Sequence, residues 1–374
     1  MAGFNLGKHR RLVIKVGSSL LVNDEGQVNR QWLQSLADDI AQLQADGHEL
    51  LVVSSGAIAI GSVGLGLNKR RASLADLQAA AAAGQVQLVH AYQESLARHD
   101  VMAAQILLTP GDTENKRRFL NARATLSRLI DHAVVPIINE NDTVATEEIR
   151  YGDNDRLAAR VSQLVMADAL VLLSDVDGLY DADPTQNESA NHIPEVEKIT
   201  DEILAVAGET RSDVGSGGMA TKVQAARIAT FAGCSTVVTD GAIEKPLAAL
   251  ATQGRHTVFI AQATPAAARK QWLAGALDVA GELRVDAGAE TALRNGKSLL
   301  PVGVTAIDGN FERGDAVRIL NEEGREIGRG LAEYASRDAV SLLGQRSEHI
   351  EALLGYRGRS VLVHRDELVV FEHE

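Results

Sequence analysis

The sequence predicts an α/β protein: a mainly parallel sheet sandwiched by helices, followed by a small C-terminal β-rich barrel. Three observations carry that reading. Short, continuously apolar, β-branched runs alternate with longer segments of helical spacing over the first two-thirds of the chain, as strands buried on both faces require. After about residue 261 the segments shorten and are punctuated by Gly, Asn and Asp, which are hairpin and turn signals. The 374 residues, 45% of them hydrophobic, are enough for two or three domains with real cores.

In chain order, residues 12–16 (LVIKV), 50–54 (LLVVS), 104–108, 134–138 (VVPII), 169–173 and 236–239 read as buried strands. Residues 30–45, 74–97, 117–131 and 219–232 read as helices. The first of these places Leu33, Leu36, Ala37, Ile40 and Leu43 on one stripe, the mark of a helix lying on a sheet. Residues 1–262 are expected to form one domain, 263–278 a linker with a short helix, and 279–374 the β-rich module. The module's strands are predicted at 281–285, 302–307, 316–320 and 326–330, separated by DGN, RGD and NEEG turns.

Composition excludes several classes. The chain carries 37 Lys and Arg against 50 Asp and Glu, a formal charge of −13. That argues against a general nucleic-acid binder, because phosphate backbones need clustered cations. It leaves room for an anionic small substrate, since a few lysines in a cleft set the local field. The single cysteine, Cys234, cannot form an internal disulfide and reads as a buried thiol. The histidines show no HxxxH or HExxH spacing, so no metal cluster is assigned. The polar N-terminus is no secretory signal and no apolar run reaches the roughly 20 residues of a membrane span, so a cytoplasmic protein is expected.

Five segments are candidates for chemistry. In KVGSS, Lys15 sits in an otherwise apolar strand, which is costly unless the charge is used, and Gly17 would let the backbone approach an anion. A lysine reaching solvent at a strand end is the plain alternative. In SSGAIAIG, Ser54, Ser55 and Gly56 precede a helix, giving an anion or substrate site or an ordinary serine cap. In INENDTVATEEIRYGDND, two clusters of amides and carboxylates, including Asn139, Asp142, Asn154 and Asp155, could hold both ends of an amino acid, or be polar loops.

The fourth, SDVDGLY, places Ser174, Asp175 and Asp177 after a strand, where they could meet metal or nucleotide; the missing final Glu excludes an EF-hand. The fifth, GSGGMATK, is a glycine-rich loop feeding a helix, with Lys222 one turn in. It lacks the glycine that precedes the lysine of a Walker A loop. It satisfies GxGxxA, but a polar ETRSDV stands where a dinucleotide fingerprint needs a strand. A GKS at 296–298 is expected in a turn.

KVGSSLL, SSGAIAIG, FLNARATL, INENDTVAT, GDND, SDVDGLY, GSGGMATK and LLGYRG resemble, in order and spacing over almost the whole chain, the glutamate 5-kinase branch of the amino acid kinase family. The C-terminal part resembles that branch's PUA module. The resemblance implies transfer of the ATP γ-phosphoryl group to the side-chain carboxylate of L-glutamate, the first step of proline biosynthesis. It implies that Ser55, Asp142 and Asn154 contact glutamate. It implies that Ser174, Asp175, Ser216, Gly217, Gly218, Met219, Ala220, Thr221 and Lys222 contact ATP, with Lys15, Asp155 and Lys222 around the reacting group. Mg²⁺ would ride mainly on the nucleotide phosphates, with no protein metal site. Feedback inhibition by proline, a homo-oligomer (dimer or tetramer) and a separate glutamyl-phosphate reductase downstream are implied in the same way.

The residue types suit that reaction on their own terms. A side-chain carboxylate with a pKa of about 4.3 is already ionised at neutral pH, so no general base is needed. What remains is positioning and electrostatic stabilisation. Two rivals stand beside it: a related kinase acting on another carboxylate, and an RNA-binding protein using its PUA-like tail. Residues 279–374 hold 12 Lys and Arg against 17 Asp and Glu, a poor balance for gripping a phosphate backbone.

Overall fold

Alternating buried strands and amphipathic helices build the larger of two units around one eight-stranded sheet. The computed structural model describes residues 4–371 apart from 24, 69–70, 145–153, 210–217, 253, 276–277 and 357. One unit comprises Met1–Glu114 with Asn121–Pro265, the other Asn115–Leu120 with Ala266–Glu374.

The strands of the first unit are β1 (Arg11–Val16), β2 (Glu49–Ser54), β3 (Ala103–Leu108), β4 (Val135–Glu140), β5 (Ala169–Ser174), β6 (Leu179–Tyr180), β7 (His192–Ile193), β8 (Glu195–Val196), β9 (Ser235–Asp240) and β10 (His256–Phe259). Its helices are α1 (Ser18–Leu21), α2 (Arg30–Ala45), α3 (Ala57–Gly64), α4 (Leu74–Ala97), α5 (Pro110–Glu114), the part of α6 (Lys116–Asp131) from Asn121 on, α7 (Asn154–Val165), α8 (Asp201–Glu209), α9 (Met219–Phe231) and α10 (Pro246–Thr252). The sheet order is β3-β4-β2-β1-β5-β9-β10-β8, while β6 and β7 pair apart from it. All pairings in the large sheet are parallel except β9 with β10.

The six predicted strands are all present. The sequence pattern does not announce β8 and β10, because two residues and a four-residue HTVF are too short to show a period. The chain lays β2 on one side of β1 and β5 on the other. Such a reversal opens a crevice beyond the strand's carboxyl end, where open α/β sheets bind ligands. Here that end is Lys15-Val16-Gly17.

Helix boundaries follow local chemistry. Asn29 caps α2 by accepting from the backbone N–H of Trp32, and Ser73 with Asp76 forms a capping box at the start of α4. The pair α3 and α4 cross through glycines. A Cβ on Gly61 would stand 1.8 Å from the Ala80 carbonyl oxygen, and one on Gly84 1.9 Å from that of Ala57. This contact fixes where Gln85, the next residue, faces. Cys234 is buried and its thiol pushed up by desolvation.

The second unit holds α11 (Pro265–Gly275), β11 (Val279–Val285), α12 (Ala287–Arg294), β12 (Val304–Gly309), β13 (Ala316–Leu320), β14 (Glu326–Ala332), α13 (Ser336–Ser341), α14 (Ile350–Leu354) and β15 (Val363–Val370). Its mixed sheet runs β12-β11-β13-β14-β15 around Leu283, Val285, Val317, Ile319 and Phe311. Residues 302–303, expected in a strand, instead complete a 3-10 turn, Pro301–Gly303. Proline suits a first turn because it has no N–H to satisfy. β15 escapes the sequence pattern because HRDE interrupts its apolar run. Its Glu367 is buried in an ion pair with Arg269 of α11, whose guanidinium also lies 4.4 Å from the Trp272 ring. Gly296 of the GKS segment follows the end of α12 at φ +72°, a left-handed turn position.

Candidate active site

Two lysines distant in sequence meet on one carboxylate at the end of β1. Lys15 stands in β1 between Val53 of β2 and Leu172 of β5. Flanking apolar strands leave its 7%-exposed side chain no route but the crevice. Its Nζ lies 2.7 Å from Asp155 Oδ1. Lys222, in the first turns of α9 and 4% exposed, places its Nζ 3.6 Å from Asp155 Oδ2. Thr221 Oγ1 donates to the same oxygen at 2.8 Å.

The electrostatics of this trio are coupled. Burial alone would raise the Asp155 carboxyl, but the ammoniums of Lys15 and Lys222 hold it below the usual carboxylate range. Burial lowers Lys222, with Asp155 opposing the shift and Lys15 adding to it. Two buried cations thus share the Asp155 carboxylate, and the Asp175 charge acts on Lys222 as well. Gly17 borders the trio: a Cβ there would stand 4.0 Å from Lys15 Nζ.

Ser174 ends β5 opposite Asp240, and its Oγ donates to Asp175 Oδ1 at 3.0 Å. The Asp175 charge acts on Lys222, so this pair borders the lysines. Gly218 precedes α9 as its cap residue, and Met219, Ala220 and Thr221 form the first turn. Ser216 and Gly217 lie outside the described residues. Asp177 is turned to another task. It accepts from Tyr180 Oη at 2.9 Å and pairs with Arg255 at 3.4 Å, anchoring the β6–β7 hairpin.

On the other side of β1, Ser55 follows β2. It is not a helix cap: Gly56 takes that position at φ +106°, leaving the Ser55 hydroxyl free for another partner. Asn154, the first residue of α7, donates from Nδ2 to Ser55 Oγ at 2.7 Å and to Asn139 Oδ1 at 3.1 Å. Asn139 Nδ2 donates in turn to Gln85 Oε1 at 2.8 Å. Asp142 opens a 3-10 turn, Asp142–Val144, directly after β4. Burial pushes its carboxyl up to about 6.

The structure thus brings Lys15, Asp155, Thr221 and Lys222 together, and separately Ser55 with Asn154. Because Asn154 and Asp155 are adjacent, the first turn of α7 joins the two groups. Sequence reasoning weighed Asn139 only as part of a cluster and missed Gln85. Its signal was a polar residue at position 85 of the 81-85-88-92 helical stripe, otherwise Ala, Leu and Tyr.

The amino acid kinase family pattern matches residues 10–240 and the PUA domain pattern residues 281–354. A glutamate 5-kinase of Paramagnetospirillum magneticum is 53% identical over 366 residues, covering 98% of this chain and 99% of that protein. Glutamate 5-kinase 1 of Mesorhizobium japonicum is 54% identical over 366 residues, covering 98% and 97%. Among solved structures, carbamate kinase from Giardia lamblia bound to AMP-PNP has a TM-score of 0.49 and 16% identity, over 67% of this chain and 98% of that one. With the family pattern over residues 10–240, the PUA pattern over 281–354 and glutamate 5-kinases 53–54% identical over 98% of its length, the chain belongs to the amino acid kinase family, in the glutamate 5-kinase branch, and carries a C-terminal PUA domain.

Proposed function

We propose that the chain transfers the γ-phosphoryl group of ATP to the side-chain carboxylate of L-glutamate, giving L-glutamyl 5-phosphate, the first step of proline biosynthesis. The observation that carries this reading is the adjacency of Asn154 and Asp155. One joins the amide row beyond β2 and β4; the other gathers Lys15 and Lys222 beyond β1. A nucleotide phosphate and an amino acid carboxylate bound at these two groups would meet over the start of α7.

The chemistry asks little of proton transfer. The attacking carboxylate is ionised above a pKa of about 4.3. The barrier lies in bringing it to a polyanion and spreading charge over the transferring group. Lys15 and Lys222 would turn from Asp155 to opposite oxygens of the γ-phosphoryl group, with Asp155 keeping both ammoniums aimed. Such preorganised cations act most strongly where water is excluded. Ser174, Asp175 and the segment 216–222 would hold the rest of the nucleotide, and Ser55, Asp142 and Asn154 the glutamate.

Mg²⁺ would be held by the β and γ oxygens of the nucleotide. When bound, the ion neutralises phosphate charge. No helix among the described residues is long and apolar enough to cross a membrane. A cytoplasmic site of action, proline feedback, a homo-oligomer and a separate downstream reductase belong to this reading on family likeness. The test is ADP release with a panel of amino acids, scored also by hydroxamate trapping of the acyl phosphate. Glutamate-dependent release that proline suppresses supports it; equal turnover of unrelated carboxylates contradicts it.

A further inference from the structure

The amide row is directed, and both its ends are open. Asn139 Oδ1 accepts from the backbone N–H of Glu140 at 2.9 Å. A backbone N–H cannot exchange donor for acceptor, so Asn139 Nδ2 has to donate, and Gln85 Oε1 receives it. Asn139 Oδ1 also receives Asn154 Nδ2, which reaches Ser55 Oγ as well. The polarity of all three amides follows from one main-chain bond. Gln85 Nε2 is left a donor and Asn154 Oδ1 an acceptor, both buried and without a hydrogen-bond partner among the described residues. Gln85 is 7% exposed and Asn154 4%.

Folded proteins seldom keep such atoms unpaired unless something else pairs with them. A donor at one end of a row and an acceptor at the other fit a group that is anionic on one side and cationic on the other. The α-carbon of an amino acid carries that pair. Asp142 opens a turn packed against α4, the helix that bears Gln85, and so brings a carboxylate to the same region.

We propose that Gln85 is a specificity-determining residue whose Nε2 donates to the α-carboxylate of the bound amino acid, while Asn154 Oδ1 accepts from its α-ammonium. Taking L-glutamate as substrate, as proposed above, Gln85 reads the end of the molecule remote from the reacting carboxylate. It therefore contributes to affinity and to the choice of substrate, and leaves the phosphoryl step alone.

Gln85→Glu tests this without breaking the row. The new carboxylate still accepts from Asn139 Nδ2, and only the outward donor becomes an acceptor. KM for L-glutamate should rise about 10- to 100-fold, the worth of one hydrogen bond to a charged group, with kcat and KM for ATP within about threefold. L-isoglutamine, which bears an amide in place of the α-carboxylate, should bind the variant better than it binds the wild type. An unchanged KM for glutamate, or an equal rise for both compounds, would overturn the assignment. Should melting curves show that Gln85→Glu does not fold, Gln85→Met removes the donor at similar length. It should abolish the preference for glutamate over isoglutamine, and a retained preference overturns the assignment. Wild-type turnover separates the two levels: without glutamate turnover the substrate reading fails, and with it the Gln85 variants decide alone.

Discussion

The two halves of the site hold their groups by opposite means. Beyond β2 and β4, Gln85, Asn139, Asn154 and Ser55 form a neutral row whose direction is set by one backbone N–H. Beyond β1, Lys15, Asp155 and Lys222 form a charged trio with no fixed direction. Neutral amides sustain burial by pairing with one another, so that only the two ends of the row, Gln85 Nε2 and Asn154 Oδ1, stay without a partner among the described residues. Buried ions sustain it only while their opposite charge is present. With the function proposed above, the difference teaches a division of labour: the row would read which molecule is bound, and the trio would handle the charge that moves.

The largest effects should come from breaking the trio. Lys15→Ala or Lys222→Ala should each lower kcat about 10²- to 10³-fold, with KM for glutamate changed by no more than a few-fold; steady-state kinetics with both substrates checks it. Asp155→Asn leaves two buried ammoniums facing each other. It should cost about 3–5 kcal/mol of stability, read from denaturant midpoints, in addition to its loss of turnover. Full stability in that variant would mean the lysines do not depend on Asp155.

The row should be more sensitive to geometry than to charge. Gly84→Ala puts a Cβ 1.9 Å from the Ala57 carbonyl oxygen. Separation of α3 from α4 should cost about 1–3 kcal/mol and raise KM for glutamate more than it lowers kcat. A variant that loses stability with KM unchanged would uncouple the helix crossing from the row.

The smallest effect is a pH dependence. Burial raises Asp142 to about 6, above its unfolded value, so its ionisation opposes folding. Its contribution to stability therefore falls as pH rises from about 4 to about 6 and is level above. Glutamate's ammonium favours the ionised form. KM for glutamate should then climb as pH drops below about 6, by up to about tenfold per unit. Asp142→Asn should flatten that climb.

Much of this was legible in the sequence. Strands buried on both faces leave continuous apolar runs, so the centre of the large sheet could be read directly. Lys15 declared itself as a charge inside such a run. The antiparallel β10 and the two-residue β8 could not be read, because their pairing is decided by neighbours distant in sequence. Gln85 was hidden for a related reason. Its importance lies in which way an amide faces, and that follows from the Glu140 N–H in another element. Asp177 shows the converse: a carboxylate after a strand end looked like ligand chemistry, yet its structural partners are Tyr180 and Arg255.

A crystal structure with glutamate, Mg²⁺ and a non-hydrolysable ATP analogue tests the division of labour most directly. Lys15 Nζ and Lys222 Nζ should both lie within about 3 Å of oxygens of the terminal phosphate, with the glutamate side-chain carboxylate in line. A terminal phosphate bound away from either ammonium, with that ammonium still paired to Asp155, would contradict it.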